Sequence, residues 1–324
     1  MYTKKVSIEY IYQAGHEVIG RGSKQLGTLA VGSPEDKRFR GIFGVSAYVA
    51  QMAWSMMEEH GLLRDHSFHH FLWALAFMRT YPANDHALSQ LLGGRDPKTI
   101  NKYIWPFIQA VFDLNYESEV VSAFLISLAV FFSSLAYIVL TLLPNQICFE
   151  NRKKGDVGND CLLSVDGTDF RIAMGYSKAF WSYKFKKSGL RYEVALCIKT
   201  GDICWWSGPY APGVWNDGSI FKDGLVNYLE PGERVETDRG YQGSAPTHVK
   251  CPGNMTSDPN TAGMQQRVRS RQETVNERFK NWAILSTPYR HDPLEHQTVF
   301  GAIVVLTQLS FASNPLFSVV YNDI

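Results

Sequence analysis

The chain has 324 residues, of which 45% are hydrophobic, 13% aromatic and 19% charged, enough apolar material for one substantial core or two. Those proportions exclude a collagen-like repeat, low-complexity disorder and a small disulfide scaffold. With 32 Lys and Arg against 31 Asp and Glu the formal net charge is +1, so no global field draws the protein to nucleic acid or anionic lipid, and any basic surface is local.

The opening, Met1 to Ser33, is mixed polar sequence without an apolar core, and no secretory signal is expected there. The section to about Glu117 reads as helical, with Phe43 to His60 and His69 to Met78 carrying apolar residues at helical spacing. Pro82, Asn84 and Asp85 then break the chain and offer an N-cap for a short helix, Asp85 to Leu92, which Gly93 and Gly94 stop. Asp96 and Pro97 start a further helix with Ile100 and Ile104 inward and Lys98, Thr99, Asn101 and Lys102 outward. Helix, glycine turn, helix with polar residues near its start is the helix-turn-helix layout, and those four residues are the expected DNA contacts. Pro106 is expected to kink or end that helix near Trp105. His66, His69 and His70 lack a Cys or acidic partner pattern and do not read as a metal site.

From Val120 to Leu143 no residue is charged, and a helix of that length, about 36 Å at about 1.5 Å per residue, could cross a bilayer. Beyond Ile147 the pattern changes. Cys161 to Val165, Tyr192 to Lys199, Ile203 to Ser207, Arg234 to Glu236 and Val249 to Cys251 read as strands, with Phe221 to Leu229 helical between them. Arg267 to Ile284 reads as a long polar and basic helix. Such an order describes an α/β or α+β domain. The cysteines Cys148, Cys161, Cys197, Cys204 and Cys251, odd in number and without CxxC or Cys/His rhythm, read as buried thiols in a reducing compartment rather than as structural zinc ligands.

Three carboxylates sit at informative places: Asp166 at the end of a strand in SVDGTDF, Asp238 just after a strand in ETDRGYQG, and Glu273 on a helix in RSRQETVNERFKNW. Acids from three separate elements can converge on one pocket, and their hard oxygens suit Mg²⁺ or Mn²⁺. Two such ions would activate an attacking oxygen and steady the leaving one in a phosphodiester reaction. Each acid taken alone also has an ordinary reading as a turn former or a solvated helix residue.

The wording around the acids, SVDGTDF, then YKFKKSGLRYEVALCIKTGDICWWSGPYAPGVWNDGSIF, then TDRGYQG, then RQETVNERFKNWAIL, resembles the catalytic core of PIF/Harbinger-type DDE transposases over about Ile147 to Tyr321. The resemblance implies an RNase H-like domain with Asp166, Asp238 and Glu273 as the catalytic, metal-holding triad for two Mg²⁺ or Mn²⁺ ions. It implies DNA as partner, both transposon ends and target, cut and joined in the nucleus by a homo-oligomer, with a Myb-like element-encoded protein as a further partner. Glu277, one helical turn from Glu273, falls where the family carries Gly; Asp169 stands where the family has His; Asp217 in PGVWND resembles a recurrent family aspartate but reads more readily as a helix N-cap. The family pattern has no counterpart for the apolar run, which reads either as an insertion, a translated intron, or as a single membrane span.

Two basic stretches complete the expectation. Lys178, Lys184, Lys186, Lys187 and Arg191 alternate with Phe180, Trp181, Tyr183 and Phe185, a mixture suited to phosphates and bases. Arg267, Arg269, Arg271, Arg278 and Lys280 surround Glu273. The DNA contacts expected from these stretches are Lys184, Lys186, Lys187, Arg191, Arg269 and Arg271. The organisation is therefore a helical helix-turn-helix-like region over 1–117, an apolar insertion over 118–146 and an RNase H-like catalytic domain over 147–324. Two other readings stay open: an inactive element-derived DNA-binding or scaffold protein, and a membrane-anchored protein held by residues 120–143.

Overall fold

The computed structural model describes residues 6–22, 26–63, 66–129, 147–154, 161–251 and 259–317. The protein is mixed α and β, with a helical N-terminal region followed by a mixed sheet. Its contacts divide it into two compact units, the first of residues 1–146, 281–284 and 298–314, the second of 147–280, 285–297 and 315–324. The sequence places all of 147–324 in one part; by contacts, most of the last helix groups with the helical residues instead.

The helical unit is built from α1 (Ile8–Val18), α2 (Pro34–Phe43), α3 (Ala47–Glu59), α4 (Phe68–Thr80), α5 (Asp85–Leu91) and α6 (Pro97–Ala129). The first two lie at or before Phe43, in the section that reads as helical but where the sequence assigns no helix bounds. Local chemistry sets most boundaries. Ser7 and Ser33 cap α1 and α2 through their side-chain oxygens. Gly44 closes α2 in the left-handed region, and Ser46 caps α3, so Phe43 belongs to α2 and not to the helix after it. Every residue from Phe71 to Met78 is buried, which makes α4 the centre of the bundle. His70 lies flat on Tyr103 with ring centroids 3.7 Å apart, and burial pushes its pKa down to about 4, while His69 pairs with Glu17 at 2.9 Å.

The expected helix, glycine turn and helix form as read. Asn84 accepts the Ala87 N–H at 2.9 Å to open α5, and Asp96 accepts the Thr99 N–H at 2.9 Å to open α6. Gly93, at φ 73°, meets the backbone of Gly20 so closely that a Cβ would stand 3.0 Å from its nitrogen. Ile100 and Ile104 are buried, and Lys98, Thr99, Asn101 and Lys102 are exposed. Pro106 does not end α6. Ile104, Phe107, Ile108 and Val111 are buried on both sides of it and the helix packs along α4, so burial outweighs the roughly 3 kcal/mol that an interior proline costs. The apolar run begins within α6; its residues 130–143 lie outside the described residues. Among the described residues no helix is long and apolar enough to cross a membrane.

The second unit carries β1 (Cys161–Arg171), β2 (Trp181–Ser182), β3 (Lys187–Cys197), β4 (Ile203–Tyr210), α7 (Asp217–Asp223), β5 (Arg234–Glu236), β6 (Val249–Lys250) and α8 (Pro259–Lys280); the residues of α9 (Ala283–Ser286) and α10 (His296–Ser310) are divided between the two units. Strands lie in the order β4-β3-β1-β5-β6, with β2 on the start of β3. β3 is antiparallel to both β1 and β4, and β5 and β6 continue parallel to β1. Leu163, Val165, Ala195, Cys197, Val235 and Val249 face one side and pack on Phe221, Leu225 and Tyr241. The opposite side of β1 and β3 takes α8, where Gln272 donates to the Val194 carbonyl at 2.9 Å and accepts from the Ser164 hydroxyl at 3.0 Å. The helix expected over Arg267 to Ile284 begins earlier, at Pro259, and breaks after Lys280. All five cysteines are free thiols, Cys148 half-buried and the rest buried.

Candidate active site

Asp166 is not at a strand end. β1 continues through it to Arg171, because Asp169, Phe170 and Arg171 still pair with Arg191, Leu190 and Gly189 of β3. Side chains alternate along β1, so Ser164 and Asp166 point to the α8 side while Val165 and Gly167 point to the other. Asp238 follows β5 after Thr237 and accepts the Gly240 N–H at 2.8 Å. Glu273 and Glu277 both stand on the exposed side of α8, one turn apart. The structure brings all four acids to one cleft of about 370 Å³, lined also by Ser164, Lys184, Glu236, Arg269, Asn276 and Lys280.

The cleft carries unbalanced negative charge around Asp166. Burial, then the charges of Asp238 and Asp217, push its pKa up to about 6, against a smaller opposing pull from Lys184. Asn276 donates to its Oδ2 at 2.7 Å. That electrostatic situation is one a divalent cation relieves, and the donors are all carboxylate oxygens, so the chemistry of the set fits Mg²⁺ or Mn²⁺. Among the described residues, however, no three His, Cys, Asp or Glu side chains are gathered closely enough to hold a metal ion as they stand.

Asp217 is not the helix cap. Asn216 holds that place, accepting the Ser219 N–H at 2.9 Å, and the Asp217 carboxylate turns toward the residues that follow the first two acids. A Cβ at Gly167 would lie 2.4 Å from Asp217 Oδ1, and one at Gly240 would lie 2.9 Å from Asp238 Oδ1 and 3.2 Å from Asp217 Oδ2. Both glycines thus make room for carboxylates. Asp169, whose role the sequence leaves open, is buried and accepts from Arg191 Nε at 2.7 Å, Arg191 Nη2 at 3.1 Å and the Ser182 hydroxyl at 2.6 Å. Arg191 also reaches Asp217 at 3.2 Å and the Trp215 carbonyl at 3.3 Å.

The expected DNA contacts accordingly separate. Lys184, Lys186 and Lys187 are exposed, and Arg269 lines the cleft. Arg191 is committed to two aspartates, and Arg271 is buried with its guanidinium on the carbonyls of Ile198 and Phe317 at 2.6 to 3.1 Å, so neither offers its charge to a phosphate.

Sequence reasoning missed Gln272, Asn276 and Glu193. The first two are polar and buried at i and i+4 on α8, spacing that puts them on the same face toward β1. Glu193 interrupts the apolar run YEVALC, which was the available signal. It lies opposite Gly167 in the β1–β3 register, 1% exposed, with the buried Tyr241 hydroxyl beside it. Burial, with the charges of Asp217 and Asp166 adding and the Tyr241 hydroxyl pulling the other way, pushes its pKa up to about 8. A carboxyl whose pKa is raised on folding destabilises the fold progressively as pH rises from its unfolded value to its folded one. Wild type should therefore lose stability relative to Glu193→Gln between about pH 5 and 8 and then run parallel to it. Urea midpoints at pH 5, 6, 7, 8 and 9 measure this, and a constant difference would show Glu193 to be ionised throughout.

Comparison with protein-family models, with curated proteins and with solved structures found no match for this chain.

Proposed function

We propose that the second unit is the RNase H-like catalytic domain of a Harbinger-like DDE transposase, a metal-dependent DNA endonuclease and strand transferase. The observation that carries this reading is the convergence of Asp166 from β1, Asp238 from the loop after β5 and Glu273 from α8 on one cleft with basic residues at its rim. The order of the acids along the chain, on β1, after β5 and on α8, agrees with what the resemblance implies and supports it. Asp166 and Asp238 would hold the cation with a glutamate of α8 as the third donor, and Asp217 stands near enough to share its field. A bound Mg²⁺ or Mn²⁺ supplies Lewis-acid stabilisation of the phosphodiester and a deprotonated attacking oxygen. In the helical unit, Lys98, Thr99, Asn101 and Lys102 on the exposed start of α6 would contact DNA, with nuclear action, oligomerisation and a Myb-like partner following from the same reading.

A second reading is an element-derived DNA-binding protein that no longer cuts. Nicking of supercoiled plasmid carrying the element's ends, in Mg²⁺ and in EDTA, separates the two. Under the catalytic reading Glu273→Gln loses nicking and Glu277→Gln keeps most of it, a difference of at least about tenfold. The reverse order moves the third donor to Glu277, and no metal-dependent nicking by the folded wild type leaves the DNA-binding reading.

A further inference from the structure

Resting on the reading of the cleft as a site that acts on DNA, we propose that the turn between β2 and β3 is a docking site for an unpaired nucleotide, whose base stacks on Tyr183 while Lys184, Lys186 and Lys187 take the flanking phosphates.

The turn is built to hold those residues outward. Trp181 and Ser182 pair with Ser188 and Lys187, and the Lys186 N–H closes the turn on the Ser182 carbonyl at 2.9 Å. Lys186 takes φ 57°, the left-handed conformation that reverses the chain in so few residues. Below the turn the polar residues are fixed: Ser182 is buried and donates to Asp169, which holds Arg191. A hairpin clamped at its base by buried hydrogen bonds presents its tip in a defined position.

Of the aromatic residues in this stretch, Trp181 and Phe185 have protein partners. Trp181 packs against Tyr176 with ring centroids 5.3 Å apart, and Arg171 lies over Phe185 at 6.0 Å. Tyr183 is 73% exposed, and among the described residues no other aromatic ring packs on it. The Lys186 ammonium stands 5.8 Å from the Tyr183 ring centroid. None of Lys184, Lys186 and Lys187 forms an ion pair among the described residues, and Lys184 lines the acid cleft itself. A polyanion entering a cleft of Asp and Glu needs compensating cations at its mouth, and three unpaired lysines beside a free aromatic face match a phosphate–base–phosphate unit in charge and in shape. Duplex DNA keeps its bases stacked inside and cannot use the ring, so the match is to a strand locally unpaired next to the bond at the cleft.

The test is binding in EDTA, where no cleavage intervenes, of short single-stranded and duplex oligonucleotides carrying 2-aminopurine. Wild type and Tyr183→Phe are expected to quench the single-strand probe, whereas Tyr183→Ala loses the quenching and binds single strand about tenfold more weakly, with duplex affinity changed less than about twofold. Lys184→Ala with Lys186→Ala and Lys187→Ala should lower the single-strand salt slope by about 2. The proposal is overturned if wild type binds neither probe, if Tyr183→Ala quenches as wild type does, or if it weakens both probes equally. Stacking that persists in a protein without metal-dependent nicking would instead remove the nuclease reading and leave the nucleotide site standing.

Discussion

Asp166→Asn is expected to abolish metal-dependent nicking, by about a thousandfold or more, and at the same time to make the metal-free protein more stable. The two effects share one cause. In the folded chain burial and the charges of Asp238 and Asp217 raise the Asp166 pKa from 3.8 to about 6, so at neutral pH the fold carries a carboxylate in a place that disfavours its charge. Because the folded pKa is the higher one, the cost is absent below about pH 4, grows as pH rises to about 6 and is constant above. Asparagine keeps the shape and can still accept the Asn276 amide that now reaches Oδ2 at 2.7 Å. At pH 7 in EDTA the variant should gain roughly 2 kcal/mol in urea unfolding, and the gain should vanish by pH 4. Adding Mg²⁺ should raise the thermal midpoint of wild type and leave that of Asp166→Asn unmoved. Undiminished nicking by the folded variant would remove Asp166 from the chemistry, and a loss of stability at neutral pH would show that its charge is compensated in the native fold.

What the sequence revealed and what it hid divide along physical lines. Asn84, the glycines at 93 and 94 and the Asp96-Pro97 pair act within one turn of chain, and the helix boundaries they signal are found where read. The strand Arg234–Glu236 was equally plain, because its boundaries lie in its own composition. By contrast the start of β3, Lys187-Ser188-Gly189, has no apolar alternation and is a strand because Lys187 and Ser188 pair with β2 and Gly189 pairs with Arg171, where a Cβ would stand 2.8 Å from the Phe170 carbonyl. The same reason made Asp166 look terminal: the half of β1 beyond it is held by register with β3, which no local pattern announces. At the cleft, the acids were legible from the wording around them, but the fates of Arg191 and Arg271 were not. Their charges count as basic in a sequence and are consumed by partners distant along the chain.

Arg191→Met should accordingly act on the fold rather than on DNA affinity. Asp169 and Arg191 stand directly opposite each other in the β1–β3 register, and the guanidinium makes a two-point contact with Asp169 at 2.7 and 3.1 Å while a third nitrogen lies 3.2 Å from Asp217. Asp169 is 2% exposed, so removal of the only cation bound to it leaves a buried carboxylate supported by the Ser182 hydroxyl alone among the described residues. Such a broken pair costs about 3–5 kcal/mol. Arg191→Lys should recover little of it, because a single ammonium cannot serve both oxygens of Asp169 and Asp217 together. Combining Arg191→Met with Asp169→Asn removes the orphaned charge and should restore much of the loss, a recovery that a residue contacting phosphate would not give. Urea midpoints of the three variants, with salt slopes of DNA binding measured beside them, distinguish the roles. A stable Arg191→Met protein whose salt slope falls by about one charge would return Arg191 to the DNA-contacting surface that its sequence neighbours suggest.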